Sequence, residues 1–200
     1  MAKILVLYPH LFNCFSKFSR KVSKITSSLD DVELVYSEDP NHFIERFCAE
    51  NLGGVSSTRL QSWSQDDVTH AIVFDDGEEF SSEVDLLKNA QVPLRCIRIQ
   101  ITRVINIKSD TNYQAQGNTP HYEYIGRGSY WGNPYSMFED GDRDEVIRKF
   151  KYDFDYDKFL NVEKSKVYSL AGKRLGCFCK PQACHGDVLA DFLNSWDDGK

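Results

Sequence analysis

The chain has 200 residues, 41% of them hydrophobic and 27% charged, a composition that fits folded domains and excludes a largely disordered chain. The formal net charge of −6 argues against broad, salt-sensitive binding to nucleic acid, which depends on clustered Lys and Arg. The longest apolar runs, such as Ile4-Leu5-Val6-Leu7-Tyr8, are strand-sized and too short to span a bilayer.

The N-terminus offers one Lys and then this short run, without the apolar core and small-residue cleavage site of a signal peptide, so the chain reads as unexported and cytoplasmic. Six cysteines are present. Cys14, Cys48 and Cys96 are scattered, whereas Cys177, Cys179 and Cys184 crowd together. That layout is unlike a secreted disulfide scaffold and fits reduced thiols.

In chain order, residues 3–8 read as a buried strand that stops at Pro9. Phe12, Phe15, Phe18, Val22 and Ile25 recur at helical spacing, with Lys17, Arg20, Lys21 and Lys24 on other faces. Residues 32–36 form a second strand. Residues 42–51 form a helix ended by Leu52-Gly53-Gly54, where Gly accepts a left-handed cap. A third strand covers 69–74 and turns at Asp75-Asp76-Gly77. A helix over 82–90 and a strand over 92–99 follow. This alternation predicts a mostly parallel sheet covered by helices.

After Ile107 the character changes. Residues 109–120 are polar and read as a long loop. Residues 122–125 form a short strand, and 126–142 are irregular, with Gly126, Gly128, Gly132, Gly141 and Pro134. A helix over 143–150, a strand over 173–179 and a helix over 187–196 complete the chain, with Val188, Leu189, Phe192 and Leu193 on one face of the last helix. Residues 197–200 are expected to fray. The fold class is therefore α/β: a Rossmann-like, mostly parallel domain over 1–101 and a smaller α+β domain over 102–200.

Three segments carry candidate chemistry. The turn Asp75-Asp76-Gly77 follows a parallel strand, where ligands of open α/β sheets sit; it also reads as an ordinary strand-to-helix turn. Residues 67–77, with Val92-Pro93-Leu94-Arg95, resemble the SLOG superfamily of Rossmann-like domains over roughly 1–101, which implies a nucleotide-type ligand. The resemblance departs after the second strand. A Gly-rich phosphate turn is expected there, and Ser37-Glu38-Asp39-Pro40-Asn41 stands in its place. Its carboxylates would repel a phosphate, so this half reads as a scaffold or an interface whose ancestral site is lost.

The second segment runs from Tyr124 to Tyr135. Glycines flank Arg127, whose planar guanidinium suits a bidentate grip on phosphate or carboxylate. Trp131 offers a surface for stacking on a base, and Asn133 both donates and accepts. The plainer alternative is a tight loop whose aromatics plug the core.

The third segment is Gly172 to Asp187. Cys177 and Cys179 are two apart on a strand and share a face; Cys184, His185 and Asp187 fall at a helix start. Three thiols and an imidazole suggest a Cys₃His zinc site. The spacing C-x-C-x₄-C-H differs from the common pairs, however, and adjacent Cys184 and His185 are awkward ligands for one tetrahedral ion. Neither a metal nor a cofactor is therefore expected. The plainer alternative has the cysteines packing as small hydrophobes while His185 and Asp187 cap the helix.

Residues 103–107, 124–128, 131–135, 141–147 and 175–189 together, in that order, resemble the domain of unknown function 4326 family of bacteria and phages. This resemblance implies one domain with one site and names no reaction. A phage setting would place the protein in the host cytoplasm.

The expected function is binding of a phosphorylated, nucleotide-derived small molecule, either sequestered, as in a phage counter-defence sponge, or hydrolysed. Arg127 and Arg143 would neutralise phosphate, Trp131 would stack, and Asn133 and Asp187 would hold ribose or base edges beside Cys184 and His185. No catalytic residue is assigned, because no spacing specifies a reaction. The partner is thus a nucleotide-type small molecule, with a homo-oligomer one way to complete the pocket. The alternatives are a protein-interaction module without small-molecule chemistry and a zinc-stabilised structural domain.

Overall fold

The computed structural model describes residues 1–51, 54–110, 112, 113 and 117–199. The chain divides into two units, Met1–Ile99 together with the C-terminal residues from Ser195 on, and Gln100–Asn194.

The first unit is built on β1 (Ala2–Leu7), β2 (Val32–Tyr36), β3 (Val55–Arg59), β4 (His70–Asp75) and β5 (Leu94–Arg98). They form one parallel sheet of order β3-β2-β1-β4-β5. Ile4 pairs with Leu34 and Val6 with Ile72, and the two-residue period sends these side chains and Phe74 to one face. Against that face lie Phe18 of α1 (Phe15–Thr26) and Phe43 of α2 (Phe43–Glu50); the Phe18 ring stacks on Phe74 at 5.2 Å and meets Phe43 at 5.4 Å. Leu5, Leu7, Val35, Ala71 and Val73 point the other way and pack with Val84 and Leu87 of α3 (Ser81–Asn89). Burial on both faces explains why the central strands read as continuous apolar runs.

Three features depart from the sequence reading. Strand β3 was not expected, because Val-Ser-Ser-Thr-Arg has no apolar run; it lies at the sheet edge with much of its length exposed, where packing asks little of the side chains. Lys17, read on a face other than the apolar one, is nevertheless buried, and its Nζ donates to Asp198 at 2.8 Å. Residues 197 and 198, expected to fray, have partners: Arg20 donates to both Asp197 carboxylate oxygens, at 2.5 and 2.8 Å. Two carboxylates opposite a basic helix face hold this end of the chain. The Leu52 and Gly53 of the expected glycine cap lie outside the described residues.

The second unit holds β6 (Arg103–Asn106), β7 (Tyr122–Tyr124) and β8 (Arg174–Cys177). They form a three-stranded parallel sheet with β8 in the middle. Helix α4 (Arg143–Asp155) runs further than its sequence pattern predicts, and α5 covers His185–Asn194. The Asp142 side chain caps α4 by accepting the Glu145 N–H at 2.9 Å, which satisfies an end-of-helix amide. Ile125, Trp131, Phe150, Phe154, Leu175, Leu189 and Leu193 are among the residues of the core. Among the described residues, no helix is long and apolar enough to cross a membrane.

Candidate functional site

In the first unit the strand order reverses around β1 and β4, the place where open α/β sheets hold ligands. Here the chain's own carboxylates take the amides that an anion would use. Asp39 accepts the Ile44 N–H at 3.1 Å and the Glu45 N–H at 3.0 Å in the first turn of α2. It also accepts the Tyr8 hydroxyl, whose pKa is raised by burial and by this bond. After β4, Asp75 accepts the Gly77 N–H at 2.7 Å, and Asp76 accepts those of Glu78 and Glu79 at 3.0 and 3.1 Å. Asp39→Ala is expected to destabilise the protein by about 1–2 kcal/mol, the usual cost of losing a helix-capping side chain. Urea denaturation of the variant checks this.

The second unit brings three distant segments to one cleft of about 110 Å³. Arg127 and Asn133 come from the irregular loop after β7, Arg143 from the first residue of α4, and Cys177, Cys179, Cys184 and His185 from β8, its following turn and the start of α5. The loop is drawn tight at Gly132, where an added Cβ would come within 2.6 Å of the Gly126 carbonyl oxygen. Arg127 donates to the Tyr135 carbonyl at 3.1 Å, and Arg143 to the Ala183 carbonyl at 3.1 Å. Each bond engages one of the five N–H groups of a guanidinium and fixes its direction at the cleft wall.

The floor is thiol-rich. Cys177 and Cys179 sulfurs are 3.4 Å apart, and Cys184 Sγ lies 3.7 Å from His185 Nδ1. His185 is buried; its Nε2 lies 2.9 Å from the Ile125 carbonyl oxygen. That acceptor places the ring proton on Nε2 and leaves the Nδ1 lone pair toward the thiols. Burial lowers the His185 pKa and favours the neutral ring. Cys177 is shifted toward the thiolate by hydrogen bonds from Cys184 and then Cys179. Cys184 is shifted the other way by donating to Cys177 and by burial, and burial also raises Cys179.

Of the residues expected to bind ligand, Arg127, Asn133, Arg143, Cys184 and His185 line this cleft. Asn133 is also a brace, since its amide donates to the Val146 carbonyl at 3.1 Å and accepts the Tyr135 N–H at 3.0 Å. Trp131 and Asp187 are placed elsewhere. Trp131 is 3% exposed and belongs to the core, so in this conformation its ring offers no stacking face. Asp187 accepts the Cys184 N–H at 2.9 Å while its own N–H bonds back to the Cys184 carbonyl, in the manner of a capping box, and it pairs with Lys180 at 2.6 Å. Tyr135 and Met137 also line the cleft. Tyr135 lies in the quoted loop motif, but nothing in the local pattern marks Met137. The adjacency of Cys184 and His185, the reason for doubting a common ion, does not separate their ligand atoms, because the chain enters α5 between them.

A five-stranded parallel α/β unit, with a second unit carrying a cleft of arginines and thiols, is the class of protein this fold defines. The chain belongs to the Minimal SLOG domain family, whose model matches residues 1–105. Residues 105–195 match the Domain of unknown function (DUF4326). Over 71 residues the chain is 44% identical to an uncharacterized 12.4 kDa protein in the nrdA-td intergenic region of Enterobacteria phage T4. That match covers 35% of this chain and 65% of the phage protein. No solved structure matches.

Proposed function

We propose that the protein binds a phosphorylated, nucleotide-derived small molecule through the cleft of its second unit. The observation that carries this reading is the convergence of Arg127 and Arg143, from separate segments, on one cleft. Two guanidiniums offer paired donors to the oxygens of a phosphate. The volume of about 110 Å³ admits one phosphate-sized group, below the ~300 Å³ at which whole small-molecule ligands are enclosed. The remainder of the ligand therefore lies outside it. Membership of the SLOG family, whose model covers the first unit, supports a nucleotide-type ligand for the chain. In the first unit, carboxylates on the amides near the strand-order reversal support a role as scaffold or interface.

Sequestration is the form we favour. Among the described residues lining the cleft, the side chain of the type that most often does general acid–base work is His185, and it is buried with its Nε2 engaged by the Ile125 carbonyl at 2.9 Å. The phage relative agrees with a counter-defence sponge acting in a host cell.

The test is to mix the protein with ADP-ribose, NAD and cyclic dinucleotides, separate it by ultrafiltration, heat it, and chromatograph filtrate and released material. A compound that leaves the filtrate and returns intact on heating is the expected result. Conversion to products would replace sequestration by hydrolysis. Depletion of nothing would move the assignment to a protein-interaction module.

A further inference from the structure

We infer that Cys177, Cys179, Cys184 and His185 hold one zinc ion at the floor of the cleft. The ligand atoms of Cys177, Cys184 and His185 all lie within 4.8 Å of one another, and all three residues are buried. Cys179 lies outside this compact group but next to it, its sulfur 3.4 Å from that of Cys177, and is assigned as the fourth ligand. Zinc–sulfur bonds of about 2.3 Å and zinc–nitrogen bonds of about 2.0 Å, at tetrahedral angles, put sulfurs about 3.8 Å apart and sulfur and nitrogen about 3.5 Å apart. The Cys177–Cys179 and Cys184–His185 separations of 3.4 and 3.7 Å are close to two edges of that tetrahedron, and a turn of the Cys179 side chain toward Cys184 and His185 would close the rest. A set of thiolates and one imidazole selects zinc among the hard and borderline divalent ions.

The surroundings are those of a metal centre. His185 Nε2 is held by the Ile125 carbonyl at 2.9 Å, the outer bond that fixes a metal-binding imidazole with its other nitrogen toward the ion. The Gly186 N–H points at Cys184 Sγ at 3.4 Å, a donor that supports sulfur as a ligand. Zn²⁺ with three thiolates and a neutral imidazole carries a net charge of −1. Arg143, hydrogen-bonded to Cys179, supplies the compensating charge. The cysteines are free, and the cleft gives an ion its way in. The ion ties the end of β8 to the start of α5.

This proposal does not rest on the phosphorylated ligand, and its test contains none. The full chain, reduced and stripped of metal, is titrated with Co²⁺ and then Zn²⁺. The expected result is uptake of about one ion per chain, with thiolate-to-cobalt charge transfer and the visible bands of tetrahedral cobalt, and displacement by zinc. Cys177→Ser and Cys184→Ser should each weaken uptake by more than the ~10–100-fold that loss of an outer partner costs. Cys48→Ser and Cys96→Ser, in the other unit, should leave it unchanged. Cys179→Ser should lower the charge-transfer intensity by one thiolate's share; an unchanged band overturns the assignment of Cys179. A reduced wild-type chain, with all six thiols titratable, that takes up no Co²⁺ overturns the site outright. That outcome is read on the unaltered protein, so it does not depend on whether a variant folds.

Discussion

Replacing Arg127 and Arg143 together by alanine is expected to lower affinity for the phosphorylated ligand by ~100-fold or more. A hydrogen bond to a charged group contributes about 1.5–3 kcal/mol, which is roughly one to two decades per arginine. Both residues sit at the cleft, where their guanidiniums donate to the Tyr135 and Ala183 carbonyls and that of Arg143 also bonds Cys179. Their removal should therefore cost far more binding than stability. Calorimetric titration of the ligand that survives the ultrafiltration panel, beside urea denaturation of the same variants, separates the two effects. Lysine at both positions should restore only part of the affinity, because an ammonium does not reproduce the planar fork. Unchanged affinity in the double alanine variant would move the phosphate away from this cleft.

Asn194→Ala is expected to destabilise the second unit by about 2–6 kcal/mol. Asn194 is 5% exposed and Thr102 is 1% exposed. The Asn194 side chain accepts the Thr102 N–H at 2.8 Å and donates to the Thr102 carbonyl at 3.0 Å, taking the place of a neighbouring strand. Alanine leaves a buried donor and a buried acceptor without partners, at about 1–3 kcal/mol each. This is a large share of the ~5–15 kcal/mol that holds a typical domain folded. The Thr102 hydroxyl accepts the Gly172 N–H at 3.0 Å and lies 3.3 Å from the Leu170 carbonyl, so the loss should spread to the segment before β8. Chemical denaturation with an unchanged slope and a lowered midpoint is the expected result. A loss under about 0.5 kcal/mol would mean that water takes over both bonds.

The sequence by itself determined the alternation of strands and helices, because burial imposes a period of two on a strand and of 3.6 on a helix, and both are written locally. The central strands β1, β2 and β4 were legible as apolar runs because both of their faces are covered. The edge strand β3 was not, since its polar residues carry no such mark. The segments that bear the cleft were legible too, as glycines around an arginine and as clustered thiols before a helix.

Only the tertiary structure decided which of these residues meet. Arg127, Arg143 and His185 are far apart in sequence, and packing of the loop, α4 and α5 around β8 joins them at one cleft. The same packing turns Trp131 inward and gives Asp187 to the helix cap, outcomes that an aromatic or a carboxylate in a motif does not announce. Asp39 shows the same limit from the other side. Its charge predicts a poor phosphate site, but only the fold reveals that this carboxylate occupies the helix amides itself. Periodicity is a property of neighbouring residues, whereas convergence depends on distances that the chain acquires only when its core closes.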